Sequence, residues 1–146
     1  MAQQDATMLL DADHNEAMRI FEQYKAAHDD SRKELLAARV CHELTVHMQI
    51  EEEIFYPAFV EATGDRALLK DALREHQEAR ELIAKIQGAR HDARLMLELE
   101  DGILHHVNDE REKMFPKARA TQGLDLMRLA DLLEARKMEL NAAHPA

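Results

Sequence analysis

Apolar residues recur along most of this chain at spacings of three and four, which is the pattern of helices with one buried face. Turn-forming residues separate five such stretches, and no stretch alternates polar and apolar residues as a strand would. Pro57 falls near the end of the second stretch and is expected to kink or stop that helix. The predicted helices cover about 5–28, 31–57, 65–87, 92–123 and 124–141.

A motif of histidine, glutamate and proline occurs twice, 59 positions apart. In the first copy His47 precedes Glu51 by four residues and Pro57 by ten, and the second copy begins at His106. Four residues correspond to a rotation of only about 40° on a helix, so each histidine shares a face with its glutamate. The duplication predicts an all-α fold, an up-down-up-down four-helix bundle with an additional C-terminal helix.

Length and charge narrow the architecture and the partners. The 146 residues are expected to form one domain, 1–146, with a core bundle over about 5–121 and the extra helix over about 124–141. A net charge of −10 would repel a phosphate backbone, so nucleic acid is not an expected partner. Because the sequence shows neither a membrane-length apolar run nor a signal peptide, we expect no membrane association and a cytoplasmic location. The single cysteine, Cys41, fits a reducing compartment.

Histidines from all four bundle helices are expected to lie at one height. Residues equally far from the turn of an antiparallel hairpin lie level with each other. His14 and His47 are symmetric about the first predicted turn, and His76 and His106 about the third. Each lies on the apolar face of its helix. Together with the two motif glutamates, the residues expected to converge are His14, His47, Glu51, His76, His106 and Glu110.

A metal centre is the simplest reason to bury four imidazoles and two carboxylates together, because unpaired buried charge is very costly. Carboxylates with imidazoles suit iron or manganese, and no thiolate is placed to favour a structural zinc site. One carboxylate from each half of the repeat favours two metal ions bridged by Glu51 and Glu110, with the four histidines as terminal ligands. A site for a single ion is the alternative.

At these residues the sequence resembles the hemerythrin-like, or HHE cation-binding, family. The resemblance covers about residues 8–116 and rests on the two histidine–glutamate motifs and on the pairs Asp13-His14 and Glu75-His76. It implies a four-helix bundle around an oxo-bridged non-heme diiron centre. Members of the family bind dioxygen, sense oxygen or iron, or take part in the handling of iron and oxidants.

The chain departs from the oxygen-carrying members at position 80. Those proteins place a further histidine four residues after the one that matches His76, whereas this chain has Arg80. Reversible oxygen carriage is therefore not expected. Arg80 either reaches a carboxylate such as Glu43 or lies beside an open coordination position, where it would steady an anion such as peroxide.

A second departure concerns which neighbouring histidine faces the site. The oxygen carriers tend to use a spacing of five between histidine and aspartate in the last bundle helix, and His105 would have that spacing to Glu110. A regular helix turns these two residues about 140° apart, so His106 is the expected ligand. Solvated surface positions are expected for Glu52, Glu53 and the histidines at predicted turns or ends, namely His28, His91 and His144. His42 lies about 140° from His47 around the helix and is expected at the surface or at its boundary.

Three functions are compatible with the sequence. The first is a non-heme diiron protein that binds or senses dioxygen, a small oxidant such as peroxide, or iron. The second is a diiron redox enzyme that decomposes peroxide, and the third is a helical interaction module without metal. No catalytic residue and no organic cofactor are assigned. The oligomeric state is open, because the fifth helix could close the bundle end or form a dimer.

Overall fold

The computed structural model describes residues 4–143, and within this range every regular element is helical. Two short π-helical segments interrupt otherwise α-helical structure. The α-helices are α1 (Ala6–Ala26), α2 (Asp30–Ile50), α3 (Tyr56–Thr63), α4 (Arg66–Ala89), α5 (Ala93–Asp109), α6 (Phe115–Ala120) and α7 (Leu126–Ala143). The π segments are π1 (Glu51–Phe55) and π2 (Glu110–Met114).

The long helices form a four-membered ring. α1 packs against α2, α2 against α4, α4 against α5, and α5 against α1. This ring is the arrangement of an up-down-up-down bundle. The predicted all-α four-helix bundle with an additional C-terminal helix is therefore confirmed. Each of the described helices is too short or too polar to cross a bilayer.

Aspartates begin the four long bundle helices. The carboxylates of Asp5, Asp29, Asp65 and Asp92 each accept a hydrogen bond from a backbone N–H in the first turn that follows. Such N-caps satisfy amide groups that have no partner within the helix. At the other end of α3, Gly64 adopts a left-handed conformation with φ of 71°, which glycine enters without steric strain. Gly64 thus ends α3 shortly before α4 begins.

Pro57 does not stop the second helix, because the helical path continues to Thr63. That part of the expectation for Pro57 is therefore wrong. π1 lies immediately before this proline, and the N–H of Tyr56 donates to the carbonyl of Glu51, five residues earlier. Pro57 then occupies the first turn of α3, where its missing N–H removes no helical hydrogen bond. The second copy of the motif repeats this geometry through π2.

Two apolar clusters fill the bundle interior, one on each side of a polar layer. The first cluster includes Phe21 and Ile103, and the second includes Phe55, Phe59 and Phe115. His14 marks the boundary on α1, because Leu10 belongs to one cluster and Ala17 to the other. The polar layer is therefore shielded from solvent along the bundle axis on both sides.

The C-terminal helix α7 covers one side of the bundle. It packs against α1, α2 and π1 of the same chain and buries Leu133 completely. At its outer edge Lys137 Nζ donates to Asp13 Oδ1 at 2.6 Å, and Arg136 Nε donates to Glu53 Oε1 at 2.7 Å. The apolar stripe of α7 is thus packed against the bundle of its own chain, along its side and not at its end.

Candidate metal centre

The polar layer contains all six residues that the sequence singles out. One side chain comes from each of six elements, α1, α2, π1, α4, α5 and π2, and none exposes more than 5% of its surface. Their role as metal ligands remains a prediction, whereas their convergence is a property of the fold. From α1 through π2 they are His14, His47, Glu51, His76, His106 and Glu110.

Each of the four imidazoles is held from outside by a carboxylate on its Nδ1 atom. A carboxylate can only accept, so Nδ1 carries the proton and the Nε2 atom is turned towards the centre. This support fixes both the tautomer and the ring orientation that a metal requires. The Nδ1 to carboxylate distances are 3.0 Å for His14 to Asp11, 3.0 Å for His47 to Asp13, 2.6 Å for His76 to Glu52, and 2.7 Å for His106 to Glu75.

The inward atoms form two adjacent groups that share one carboxylate. Within each group the potential ligand atoms lie no more than 4.8 Å from one another. Glu51 belongs to both groups, so the two groups are contiguous. The first group is His14, His47, Glu51 and Glu110, and the second is Glu51, His76 and His106.

Both glutamates reach histidines of both groups. Glu51 Oε1 lies 3.2 Å from Nε2 of His47 and 3.1 Å from Nε2 of His76. Glu110 Oε1 lies 2.9 Å from Nε2 of His14 and 3.4 Å from Nε2 of His106. Each carboxylate therefore stands between the two halves of the cluster.

These close approaches include several that are not aligned as hydrogen bonds. Among the described residues, the buried atoms without a hydrogen-bond partner include Nε2 of His14, Nε2 of His47, Oε2 of Glu51 and Oε1 of Glu110. A buried polar atom left unpaired costs about 1–3 kcal/mol. Atoms that crowd together without pointing at one another are instead satisfied by a common cation between them. The donor set thus fits a bound metal.

Pairing between opposite charges strongly shifts the pKa values of side chains in the cluster. Burial lowers the pKa of His47, but Glu51 and Asp13 outweigh burial and raise this pKa to about 10. Burial likewise lowers the pKa of His106, yet Glu110 and other carboxylates leave it well above its ordinary value. Burial raises the pKa of Glu51, and the surrounding imidazoles hold it well below the ordinary value. Protons on His47 and His106 therefore balance the carboxylates, and a cation would replace those protons.

Tyr56 also belongs to the cluster, although regular helical periodicity does not predict its presence there. Its hydroxyl oxygen lies 2.8 Å from Glu110 Oε2, 3.1 Å from Glu51 Oε1, 3.2 Å from His76 Nε2 and 3.3 Å from His106 Nε2. Burial, followed by the charges of Glu110 and Glu51, raises the pKa of Tyr56 well above its ordinary value. The metal-free phenol therefore keeps its proton.

The π1 segment explains why helical periodicity missed this tyrosine. Tyr56 follows Glu51 by five residues, which a regular α-helix would place about 140° away. The five-residue hydrogen bond of π1 instead brings Tyr56 back over Glu51. The signal in the sequence was the proline that follows Tyr56, because it marks a place where a regular helix is disturbed.

The repeat places phenylalanine where the first copy has tyrosine. The ring of Tyr56 stacks on His76 with centroids 5.4 Å apart, and the ring of Phe115 stacks on His14 with centroids 5.9 Å apart. The two halves of the cluster are therefore alike in packing. They differ in that the second group has an additional oxygen at its centre.

Arg80 and Glu52 act together outside the cluster. Arg80 Nη1 lies 2.9 Å from Glu52 Oε2, the oxygen that also holds Nδ1 of His76. The first of the two expectations for Arg80, that it reaches a carboxylate, is therefore confirmed. The partner is Glu52, however, and not Glu43. The expected solvated position of Glu52 is wrong, because its carboxylate is committed to His76 and Arg80.

The neighbouring histidines on α5 face in different directions. His106 is buried, whereas the side chain of His105 is 69% exposed and contacts Glu75 Oε2 at 3.2 Å. Among the other histidines, His28 is exposed. His42 and His91 are partly buried and form hydrogen bonds with Asn141 and Tyr24. His144 lies outside the described residues.

Comparison with known proteins identifies a domain family and a fold for this chain. The family model of the hemerythrin HHE cation-binding domain matches residues 5–118. The crystal structure of a hemerythrin HHE cation-binding domain-containing protein from Mycobacterium kansasii superposes with a TM-score of 0.81 at 19% sequence identity, over 97% of this chain and 90% of that one. At this identity the likeness demonstrates a common fold alone. No curated protein sequence matches the chain significantly.

Proposed function

The chain belongs to the hemerythrin HHE cation-binding domain family, and on that premise we propose that its buried cluster holds two iron ions and binds or senses dioxygen or a related small oxidant. The observation that supports this proposal is that two neighbouring groups of potential metal ligands share Glu51. His14 and His47 would serve one ion, and His76 and His106 the other. Glu51 and Glu110, which each contact histidines of both groups, would bridge them.

The donor atoms and the family together favour iron. Imidazole nitrogens combined with carboxylate oxygens suit iron or manganese, while zinc in structural sites and copper in electron-transfer sites commonly have thiolate ligands. Between iron and manganese, the resemblance to hemerythrin-like proteins favours iron. Cys41, the single cysteine, is buried in the apolar cluster around Phe21 and offers no such ligand. When bound, an iron pair supplies Lewis-acid and redox chemistry toward small oxidants.

The protein's own residues orient and enclose the centre. The four Nδ1 carboxylates keep the imidazoles aimed inward, and the apolar clusters keep bulk water away. A cavity of about 20 Å³ touches His106 and Glu110, which is room for about one water molecule. This size supports a ligand of two or three atoms and disfavours an organic substrate.

Metal analysis tests the proposal. Protein purified aerobically, or reconstituted with ferrous iron, is expected to contain about two irons per chain and to show the near-ultraviolet charge-transfer bands of a bridged ferric pair. A fully folded chain that takes up no iron would refute both metal-dependent functions and favour the helical interaction module. Saturation at one iron would instead support the single-ion alternative.

A peroxide assay separates binding from turnover. Peroxide decomposition is the second candidate function, and the small cavity beside Glu110 is compatible with it. Arg80 lends it no support, because its guanidinium is already paired with Glu52. Sustained oxygen evolution from the iron-loaded protein would favour the enzyme. One spectral change that then stops would favour binding or sensing.

A further inference from the structure

We propose that the hydroxyl oxygen of Tyr56 is a direct ligand of the metal ion held by His76 and His106. The inference rests on the proposed diiron centre and deepens it. The tyrosine would give this ion a third terminal ligand, beside its two histidines, that is absent at the other ion. The observation behind it is the position of one phenolic oxygen among the inward atoms of the second group.

The distances around Tyr56 are those between ligands of one ion. Donor atoms bound at about 2.1 Å to a common metal lie about 3.0–3.4 Å from one another. The Tyr56 oxygen lies 3.1 Å from Glu51 Oε1, 3.2 Å from His76 Nε2 and 3.3 Å from His106 Nε2. Nε2 of His76 lies 3.2 Å from Nε2 of His106. Glu51 Oε1 lies 3.1 Å from Nε2 of His76 and 3.9 Å from Nε2 of His106.

Hydrogen bonding alone does not account for this arrangement. A phenol has one proton to donate, whereas two carboxylate oxygens, Glu51 Oε1 and Glu110 Oε2, lie within 3.1 Å of the Tyr56 oxygen. Its proton can serve Glu110 Oε2, the nearer of the two at 2.8 Å. A cation among Glu51 Oε1 and the two Nε2 atoms satisfies their lone pairs together, and its charge favours loss of the phenolic proton.

The fold also provides a dedicated reason for Tyr56 to reach the cluster. π1 rotates the chain so that a residue five positions after Glu51 points to the same centre. Such π segments occur frequently at functional sites. In the second copy π2 performs the same rotation, but it delivers Phe115, which has no donor atom. The tyrosine therefore makes the two metal positions chemically different.

A tyrosine ligand also bears on position 80. Arg80 stands where the oxygen carriers have a further histidine, and its guanidinium pairs with Glu52 outside the cluster. An ion beside His76 would therefore lack that histidine. Tyr56 would supply an oxygen in place of that nitrogen. A hard anionic oxygen favours ferric over ferrous iron, and reversible oxygen carriage depends on the ferrous state. The proposed ligand is thus consistent with sensing or oxidant handling and not with carriage.

Tyr56→Phe with Tyr24→Phe as matched control tests the proposal. The chain has two tyrosines, and the hydroxyl of Tyr24 is also partnered by a histidine, His91, at 2.9 Å in the other part of the bundle. Iron-loaded wild type and Tyr24→Phe are expected to show a visible phenolate-to-iron charge-transfer band and the corresponding resonance Raman ring modes. Tyr56→Phe is expected to lose both while it retains iron and the near-ultraviolet bands.

Isotope labelling keeps the test decisive if Tyr56→Phe fails to fold. In Tyr24→Phe the one remaining tyrosine is Tyr56, so ring-deuterated tyrosine should shift the phenolate modes of that variant. Iron-loaded wild type without phenolate modes, or a band that persists in folded Tyr56→Phe, would overturn the tyrosine ligand and leave the diiron centre intact. A wild-type chain that binds no iron would overturn the diiron proposal and the ligand together.

Discussion

Replacing Glu75 with glutamine tests how far a carboxylate behind an imidazole sets the metal affinity of the cluster. Glu75 Oε1 accepts a hydrogen bond from Nδ1 of His106 at 2.7 Å, and the Glu75 side chain is only 8% exposed. Glutamine has nearly the same size and can still accept through its carbonyl oxygen. The substitution therefore removes charge while it preserves shape.

The expected loss follows from the strength of this hydrogen bond. Hydrogen bonds to charged groups contribute about 1.5–3 kcal/mol, and their neutral counterparts contribute roughly half as much. Since Glu75 is largely shielded from solvent, little of this difference is screened away. A loss of about 0.75–1.5 kcal/mol corresponds to a metal affinity that is about 3.5- to 13-fold weaker. This lies near the lower end of effects reported for partners of metal-bound histidines, about 10- to 100-fold.

Competition with a chelator of known affinity measures the change, and circular dichroism confirms that the metal-free variant is folded. Glu78→Gln is the matched control, because Glu78 lies one turn along α4, is 63% exposed and approaches Arg74 no closer than 3.7 Å. Its affinity should stay within twofold of wild type. Equal affinities for wild type and folded Glu75→Gln would refute the reasoning. An equal loss in Glu78→Gln would assign the effect to net charge.

The remaining predictions concern the choice of histidine, the metal and the cysteine. His106→Ala is expected to lose most of its iron, whereas His105→Ala should keep it because that imidazole is 69% exposed outside the cluster; iron loss in His105→Ala alone would contradict the assignment of α5. Removing a metal present at about 100 times its Kd should reduce the free energy of unfolding by about 2.7 kcal/mol. Calorimetry should then show a Tm that is lower by about 5–11 °C. Superimposable melting curves with and without metal would argue against specific binding. Burial raises the pKa of Cys41 to about 12, so iodoacetamide at pH 8 should leave it unmodified until denaturant is added; prompt labelling of native protein would show that the thiol is accessible.

Tyr56 and Arg80 show where reasoning from a regular helix loses its power. A rotation of 100° per residue places Tyr56 away from Glu51, and it fails because π1 contains one residue more per turn. The same rule correctly separated His106 from His105, since α5 is regular up to Asp109. Arg80 is long enough to reach several carboxylates, so its pairing with Glu52 depends on how α4 and π1 are packed.

The sequence by itself determined the helical class and the gathering of its inward histidines and glutamates. Both follow from short-range regularities, namely the period of the apolar positions and the symmetry of residues about a turn. Only the tertiary structure decided what surrounds them: the carboxylate behind each imidazole, the partner of Arg80, the seat of α7 and the phenolic oxygen of Tyr56. These features depend on distances between side chains of different helices and on the local π-helical geometry. Such contacts produce no periodic pattern in the amino-acid sequence.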